Sequence, residues 1–201
     1  MIGIVDVGMG NLQSVRKAFE RIGQPARIVA TSGQIAVMDR LVLPGVGAFG
    51  RAMQALTRRG LRMPLADAVA AGTPLLGICL GLQLLFERSE EHGVHGGLAL
   101  LRGEVRRLPS TVKVPHIGWN ELQIARPGRL LDGVPDREYF YFVQSYHVRP
   151  ADDECVTGTT DYGLRFAAAV EADNVFGVQF HPEKSQGAGL RILENFARLS
   201  C

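Results

Sequence analysis

Nowhere among the 201 residues do eighteen uncharged apolar residues follow one another, and a membrane-spanning helix needs about that many. The start, MIGIVDV, has neither a basic region nor a cleavage site, so no secretory leader is expected and a soluble cytoplasmic protein is. Cysteine is scarce: Cys79, Cys155 and Cys201 form an odd set without metal-ligand spacing. That argues against a disulfide framework and a zinc site, and for a reducing compartment. An excess of one charge is missing too. The 22 Lys and Arg against 20 Asp and Glu leave +2, scattered in pairs such as Arg58-Arg59 and Arg106-Arg107, so no basic stripe exists for nucleic acid. No repeat, low-complexity tract or Pro/Ser-rich linker divides the chain, and a hydrophobic fraction of 46% suffices for one sizeable core. A single domain over residues 1–201 is expected.

What the chain does have is an alternation of short apolar runs with helical patterns in its first half, as in strands joined by helices around a parallel sheet. IGIVDV is followed by Leu12, Val15, Phe19 and Ile22 on one helical face; then come RIVA, RLVLPG, a helix-like Phe49 to Arg59, and TPLLGIC leading into GLQLLFE. From about Leu98 the runs are consecutive and strand-like: LLRGEVRRL, GWNELQIA, EYFYFVQSYHV, ECVTGTT and RFAAAVEA. They predict hairpins that extend the sheet. After NVFGVQF, a last helix from about Gly189 to Leu199 is expected to bury Leu190, Leu193 and Phe196.

One stretch concentrates the chemistry. In PLLGICLGLQLL a lone thiol, Cys79, stands two residues from Gly77 and two from Gly81. Burial of a free Cys beside a close backbone approach is the plain structural reading. A functional reading follows if the strand turns sharply into a helix there: the corner residue is strained, flanking side chains would collide, and glycines remove the collision while the thiol projects at the carboxyl end of the sheet. The helix start would further favour thiolate. A nucleophile of this kind needs a base. HPE, directly after VFGVQF, supplies His181 and, two residues on, Glu183 to orient the ring; His92, His95, His116 and His147 have no comparable company. A third element, LVLPGVGAFG, ends a strand in a Gly-rich turn whose amides can stabilise an oxyanion with the amide of Leu80. GMGN at Gly8 to Asn11 is not a dinucleotide loop, because the fingerprint requires a further glycine where Gln13 stands. The aromatic alternation of YFYFVQSYHV reads as a half-buried strand, with Ser145 and Tyr146 as ligand contacts near its end.

PGVGAFG, GICLGLQLLFERSEE and HPEKS, in that order, resemble the class I (triad) glutamine amidotransferases over essentially the whole chain. DVGMGNLQSV and PHIGWNEL are further similar to the glutaminase subunits of imidazole glycerol phosphate synthases. The resemblance implies a flavodoxin-like α/β fold with a central, mainly parallel sheet, helices on both faces and an antiparallel extension. It implies no cofactor or metal, and a heterodimer with a (β/α)8-barrel cyclase subunit that receives ammonia made from L-glutamine. Carried over, Cys79 is the nucleophile, His181 the base and acid, and Glu183 its orienter. Leu80 and the peptide around Gly45 and Val46 form the oxyanion hole. Gly47, Gln83 and Glu91 hold glutamine together with Gln144, Ser145 and Tyr146. Gln144 stands where the family commonly has His, and its amide can still donate. Trp119, Asn120 and Lys184 are implied at the partner interface, core packing being the plain alternative for Trp119. Rival readings are the glutaminase of pyridoxal phosphate synthase, a thiol peptidase on a similar sheet, and a binding scaffold without catalysis.

Overall fold

A computed structural model describes residues 1–199, so Cys201 lies outside the described residues. The first half runs β1 (Ile2–Val5), α1 (Leu12–Arg21), β2 (Ala26–Val29), α2 (Ser32–Ile35), β3 (Arg40–Gly45), α3 (Phe49–Arg58), α4 (Arg62–Ala70), β4 (Leu75–Cys79) and α5 (Leu80–Leu84). Next come β5 (Phe86–Ser89), β6 (His95–Gly96), β7 (Leu101–Arg107), β8 (His116–Ile124), β9 (Glu138–Gln144) and β10 (Tyr146–Pro150). The chain closes with β11 (Val156–Asp161), β12 (Arg165–Ala172), β13 (Val175–Val178) and α6 (Gln186–Arg198).

Five strands pair in parallel in the order β2-β1-β3-β4-β13, which is the flavodoxin-like order 2-1-3-4-5. Such strands are buried on both faces and read as continuous apolar runs; β3 and β4 are RLVLPG and LLGIC, and all of β4 is buried. Alternate residues feed two cores. Leu41, Leu43 and Leu75 face one side with Phe49 and Leu56 of α3 and Leu65 of α4. Ile4, Val42, Leu76 and Ile78 face the other with Phe19 of α1 and Ile192, Leu193 and Phe196 of α6.

Beyond β13 the pairing becomes antiparallel, through β12, β10 and β7, and β11 leads off to the β8–β9 ribbon. β10 and β12 share a single registered pair, Val148 with Ala167.

Several boundaries differ from the sequence expectation. GLQLLFE is not one helix: α5 stops at Leu84 and Phe86 begins a strand, since Leu98 and Ala99 hydrogen-bond back to the carbonyls of Leu84 and Phe86. EYFYFVQSYHV is two strands broken at Ser145, β9 pairing with β8 and β10 with β7. In α6, Ile192 takes the buried place expected of Leu190, which is only partly covered. The helix begins three residues earlier than its apolar pattern suggested.

Candidate active site

Cys79 ends β4 with φ 56° and ψ −110°, a positive φ that a residue with a side chain adopts only when its surroundings impose it. The constraint comes from α5 lying directly on the sheet. A Cβ on Gly81 would overlap the carbonyl oxygen of Leu43, and one on Gly77 would stand 2.7 Å from the Gly81 carbonyl carbon and oxygen. The two glycines thus let the helix settle onto β3 and β4, and the strained corner that results turns the thiol outward. α5 is only five residues long, so its dipole is slight, and the strong electrostatic partner of the thiol is an imidazole instead.

That imidazole is His181. The HPE turn is pinned to the sheet by a clamp: His181 N–H donates to the Tyr141 carbonyl at 2.9 Å, the Ser185 hydroxyl donates to the His181 carbonyl at 2.7 Å, and Tyr141 N–H donates to that same hydroxyl oxygen at 3.0 Å. Gly189 permits the following helix to pack against the Pro182 carbonyl. His181 Nδ1 lies 2.8 Å from Glu183 Oε1, and both side chains are more than nine-tenths buried. Burial alone would lower the basicity of the ring, but its interactions with Cys79 and Glu183 outweigh that and raise its pKa to about 10. The His181 ring is thereby placed in contact with both the Cys79 thiol and the Glu183 carboxylate, an arrangement that suits a nucleophile, a base and its orienter.

The thiol opens into a cavity of about 240 Å³. One wall comes from the parallel half: Val46 and Gly47 after β3, Leu80 and Gln83 of α5, and Glu91. Gly47 has φ 92° and no neighbour nearer than Met9 Sδ at 4.0 Å, so backbone conformation, not space, demands glycine there. Gly45 lies just behind, with Leu80 Cβ 3.0 Å from where its own Cβ would be, and Gly10 of the GMGN loop faces it. The opposite wall is Val143, Gln144, Ser145 and Tyr146 at the break between β9 and β10, with Pro115 and Lys184 at the rim. Glu91 is anchored by the Phe49 N–H at 2.6 Å. Burial, then the nearby Glu91 carboxylate, holds the Tyr146 phenol in its protonated form.

Residues with no motif also belong here. Gln179 is fully buried, donates to Cys79 Sγ at 3.8 Å and accepts from Gln83 Nε2 at 3.1 Å; Gln83 donates in addition to the Tyr146 carbonyl at 3.1 Å. A lone amide inside the apolar run VFGVQF was the available signal for Gln179. Val143 contributes its carbonyl, 3.7 Å from the thiol, which no side-chain pattern discloses.

The exposed face beside the cavity carries Trp119, 46% exposed, with Ile117, Tyr139 and Val46. Trp119 meets Tyr141 edge-to-face at 6.0 Å, and Lys184 Nζ sits 5.7 Å from the Tyr141 ring. Core packing is therefore not its role. Asn120 departs from the expectation: strand alternation turns it to the other side, where its amide donates to the Asp161 carbonyl at 2.9 Å and lies 3.3 Å from His116 Nε2. Size alone would have pointed elsewhere, because a larger cavity, about 710 Å³, lies behind β10 around Arg126, Arg149 and Arg165 and is not lined by Cys79. Among the described residues no His, Cys, Asp and Glu group is arranged for a metal ion.

The glutamine amidotransferase class-I family model matches residues 3–199. The chain is 53% identical over 198 residues to the imidazole glycerol phosphate synthase subunit HisH of Moorella thermoacetica, across 98% of this chain and 94% of that protein. It is 52% identical over 196 residues to the subunit of the same name from Aquifex aeolicus, across 97% and 95%. A crystal structure of a glutamine amidotransferase superposes with a TM-score of 0.77 at 20% identity, across 98% of this chain and 99% of that one, and Thermotoga maritima PurLQS does so with 0.77 at 19%, across 97% and 96%. A shared fold, a thiol on a strained strand-to-helix corner with a buried imidazole–carboxylate pair, and a family match over nearly every residue lead to one conclusion: the chain belongs to the class I glutamine amidotransferases.

Proposed function

We propose that this chain is the glutaminase subunit of an imidazole glycerol phosphate synthase, hydrolysing L-glutamine to glutamate and ammonia and passing the ammonia to a cyclase subunit for histidine biosynthesis. The observation that carries the glutaminase half is the Cys79–His181–Glu183 arrangement at the cavity floor. The choice of synthase rests on relatives near 52% identity over almost the full length.

The geometry sets the order of events. His181 takes the Cys79 proton, and the sulfur attacks the side-chain carboxamide carbon of glutamine. The carbonyl oxygen becomes an oxyanion, held by the amide of Leu80 and the peptide around Gly45, Val46 and Gly47. Each such donor is worth about 100-fold to 1000-fold in turnover. His181 returns the proton to the departing nitrogen, releasing ammonia and leaving a glutamyl thioester. Water, deprotonated by His181, then attacks the thioester; glutamate leaves and the thiol is restored. Glu183 keeps the ring in the tautomer these transfers need. Glu91, Gln83 and the Gln144–Ser145–Tyr146 wall hold the amino acid end.

The cyclase is taken to be a (β/α)8 barrel seated on Trp119, Ile117 and Lys184 beside the cavity mouth, and the complex to be cytoplasmic. Among the described residues no helix is long and apolar enough to cross a membrane. The test is ammonia release from glutamine, measured with and without the matching cyclase. Stimulation by the cyclase and transfer of the glutamine amide nitrogen into imidazole glycerol phosphate are expected; hydrolysis that no cyclase alters would refute the assignment.

A further inference from the structure

Gln144 is 5% exposed and lines the cavity with Cys79, yet neither its amide nitrogen nor its amide oxygen has a protein partner. An unpaired carboxamide buried beside a nucleophile is costly unless a ligand or a neighbour completes it. Which end it offers to a ligand depends on what holds the other end.

The neighbouring strand answers this. His116 is directly opposite Gln144 in the β8–β9 register, so the two side chains leave the same face. Its ring is 3% exposed and stacks against Tyr162 at 4.0 Å and Phe142 at 5.0 Å, which fixes its plane. Behind it, Asn120 has its amide orientation set by the backbone: Oδ1 accepts from Glu121 N–H at 2.8 Å and Nδ2 donates to the Asp161 carbonyl at 2.9 Å. The remaining Nδ2 proton points at His116 Nε2, 3.3 Å away, so Nε2 accepts. Burial lowers the basicity of His116 and keeps it neutral, and a neutral imidazole carries one proton. That proton is on Nδ1, a buried donor without a protein partner. Across the strand pair, at the position directly opposite His116, Gln144 Oε1 is an unpaired buried acceptor.

We propose that His116 is a positioning residue that holds the Gln144 carboxamide by its oxygen, so that Gln144 presents its NH2 to the α-carboxylate of the glutamine bound above Cys79. The donors for the reacting carbonyl come from the β3 and β4 side, which leaves the carboxylate for the β9 wall. Asn120 thereby sets the polarity of the substrate site through two intervening side chains. The inference rests on the glutaminase function proposed above.

Because this contact is the same in ground and transition states, its loss acts on KM and not on kcat. In the assembled synthase, His116→Phe keeps the stacking and removes the donor, while Gln144→Leu removes the amide. Each is expected to raise the KM for glutamine about 10-fold with kcat little changed, and the double variant to be no worse than Gln144→Leu alone. Gln144→Glu, which needs no change at His116, should raise KM beyond Gln144→Leu by placing a carboxylate against a carboxylate. Multiplying KM effects in the double variant, a fall in kcat with unchanged KM, or a Gln144→Glu enzyme that binds glutamine as wild type does would each overturn the relay. A wild-type complex that releases no ammonia from glutamine would instead overturn the function itself.

Discussion

The two halves of the sheet divide the work. The parallel half supplies all three members of the proposed triad from the carboxyl ends of β4 and β13, where the strand ends and the crossovers between them converge. The antiparallel half supplies none of them. It builds the far wall of the cavity at the β9–β10 break and the exposed Trp119 face. In the proposed function, the nucleophile and base thus sit on strands fixed from both faces, while one wall of the substrate cavity and the proposed docking face sit on a ribbon with one face free. Substitutions in the first region should strike turnover, and those in the second binding.

The largest effect is expected at Cys79. Cys79→Ala should reduce glutamine-dependent synthesis by about 10⁴-fold or more, while synthesis from ammonium salts by the assembled complex persists. Equal loss of both activities would break the assignment. Next is Glu183→Gln, expected to lower turnover on the order of 10³-fold to 10⁴-fold, with a change in pH dependence that can be signed in advance. His181 is raised to about 10, with burial opposing and Cys79 and Glu183 raising. The imidazolium needed to protonate the departing ammonia is therefore present below that pH and lost as pH rises through it. Removing the carboxylate takes away one of the raising interactions, so the alkaline limb of the kcat profile should move to lower pH. A limb that stays in place would mean Glu183 does not act on the ring.

Val46→Pro tests the loop at the boundary of the two regions. It removes one N–H beside Gly45 and Gly47 and leaves the triad untouched. Cyclase-stimulated turnover should fall roughly 100-fold to 1000-fold, with melting temperature and complex affinity retained. Docking of the cyclase is expected to complete this oxyanion loop, and an isolated wild-type subunit that hydrolyses glutamine as fast as the complex would refute that. Trp119→Ala belongs to the binding region. It should weaken assembly by about 2 kcal/mol, or roughly 30-fold in Kd by titration, without lowering the melting temperature. The smallest effect is expected at Cys155, whose thiol burial, then nearby Asp152, pushes up to about 11. Cys155→Ser should leave glutaminase activity unchanged, and a glutamine-like electrophile at pH 7.5 should label Cys79 in preference to it, as peptide mass mapping would show.

The same division marks what was legible. β3, β4 and β13 are continuous apolar runs because neighbours cover them on both faces, and the Gly-rich ends of β3 and β4 and Pro182 after β13 announce the turns. The antiparallel half is marked less clearly. EYFYFVQSYHV keeps its alternation straight through Ser145 although the chain changes partner there, and nothing local records a change of partner. Phe86 to Ser89 continues a helical pattern but is held as strand by β7 and by the loop that returns over it.

For the site, residue types and spacing within a few positions determined the elbow around Cys79 and the His181–Glu183 pair, because steric relief at a corner and ring orientation two residues away are local demands. Tertiary structure alone decided which amides and carbonyls meet the thiol. Gln179 and the Val143 carbonyl reach Cys79 from 100 and 64 residues away. His116 comes to face Gln144 only through the β8–β9 register. Trp119 and Asn120 are adjacent in sequence, yet one is exposed and the other bonded inward, because the pleat sends neighbours to opposite faces and only the sheet's packing determines which face meets solvent.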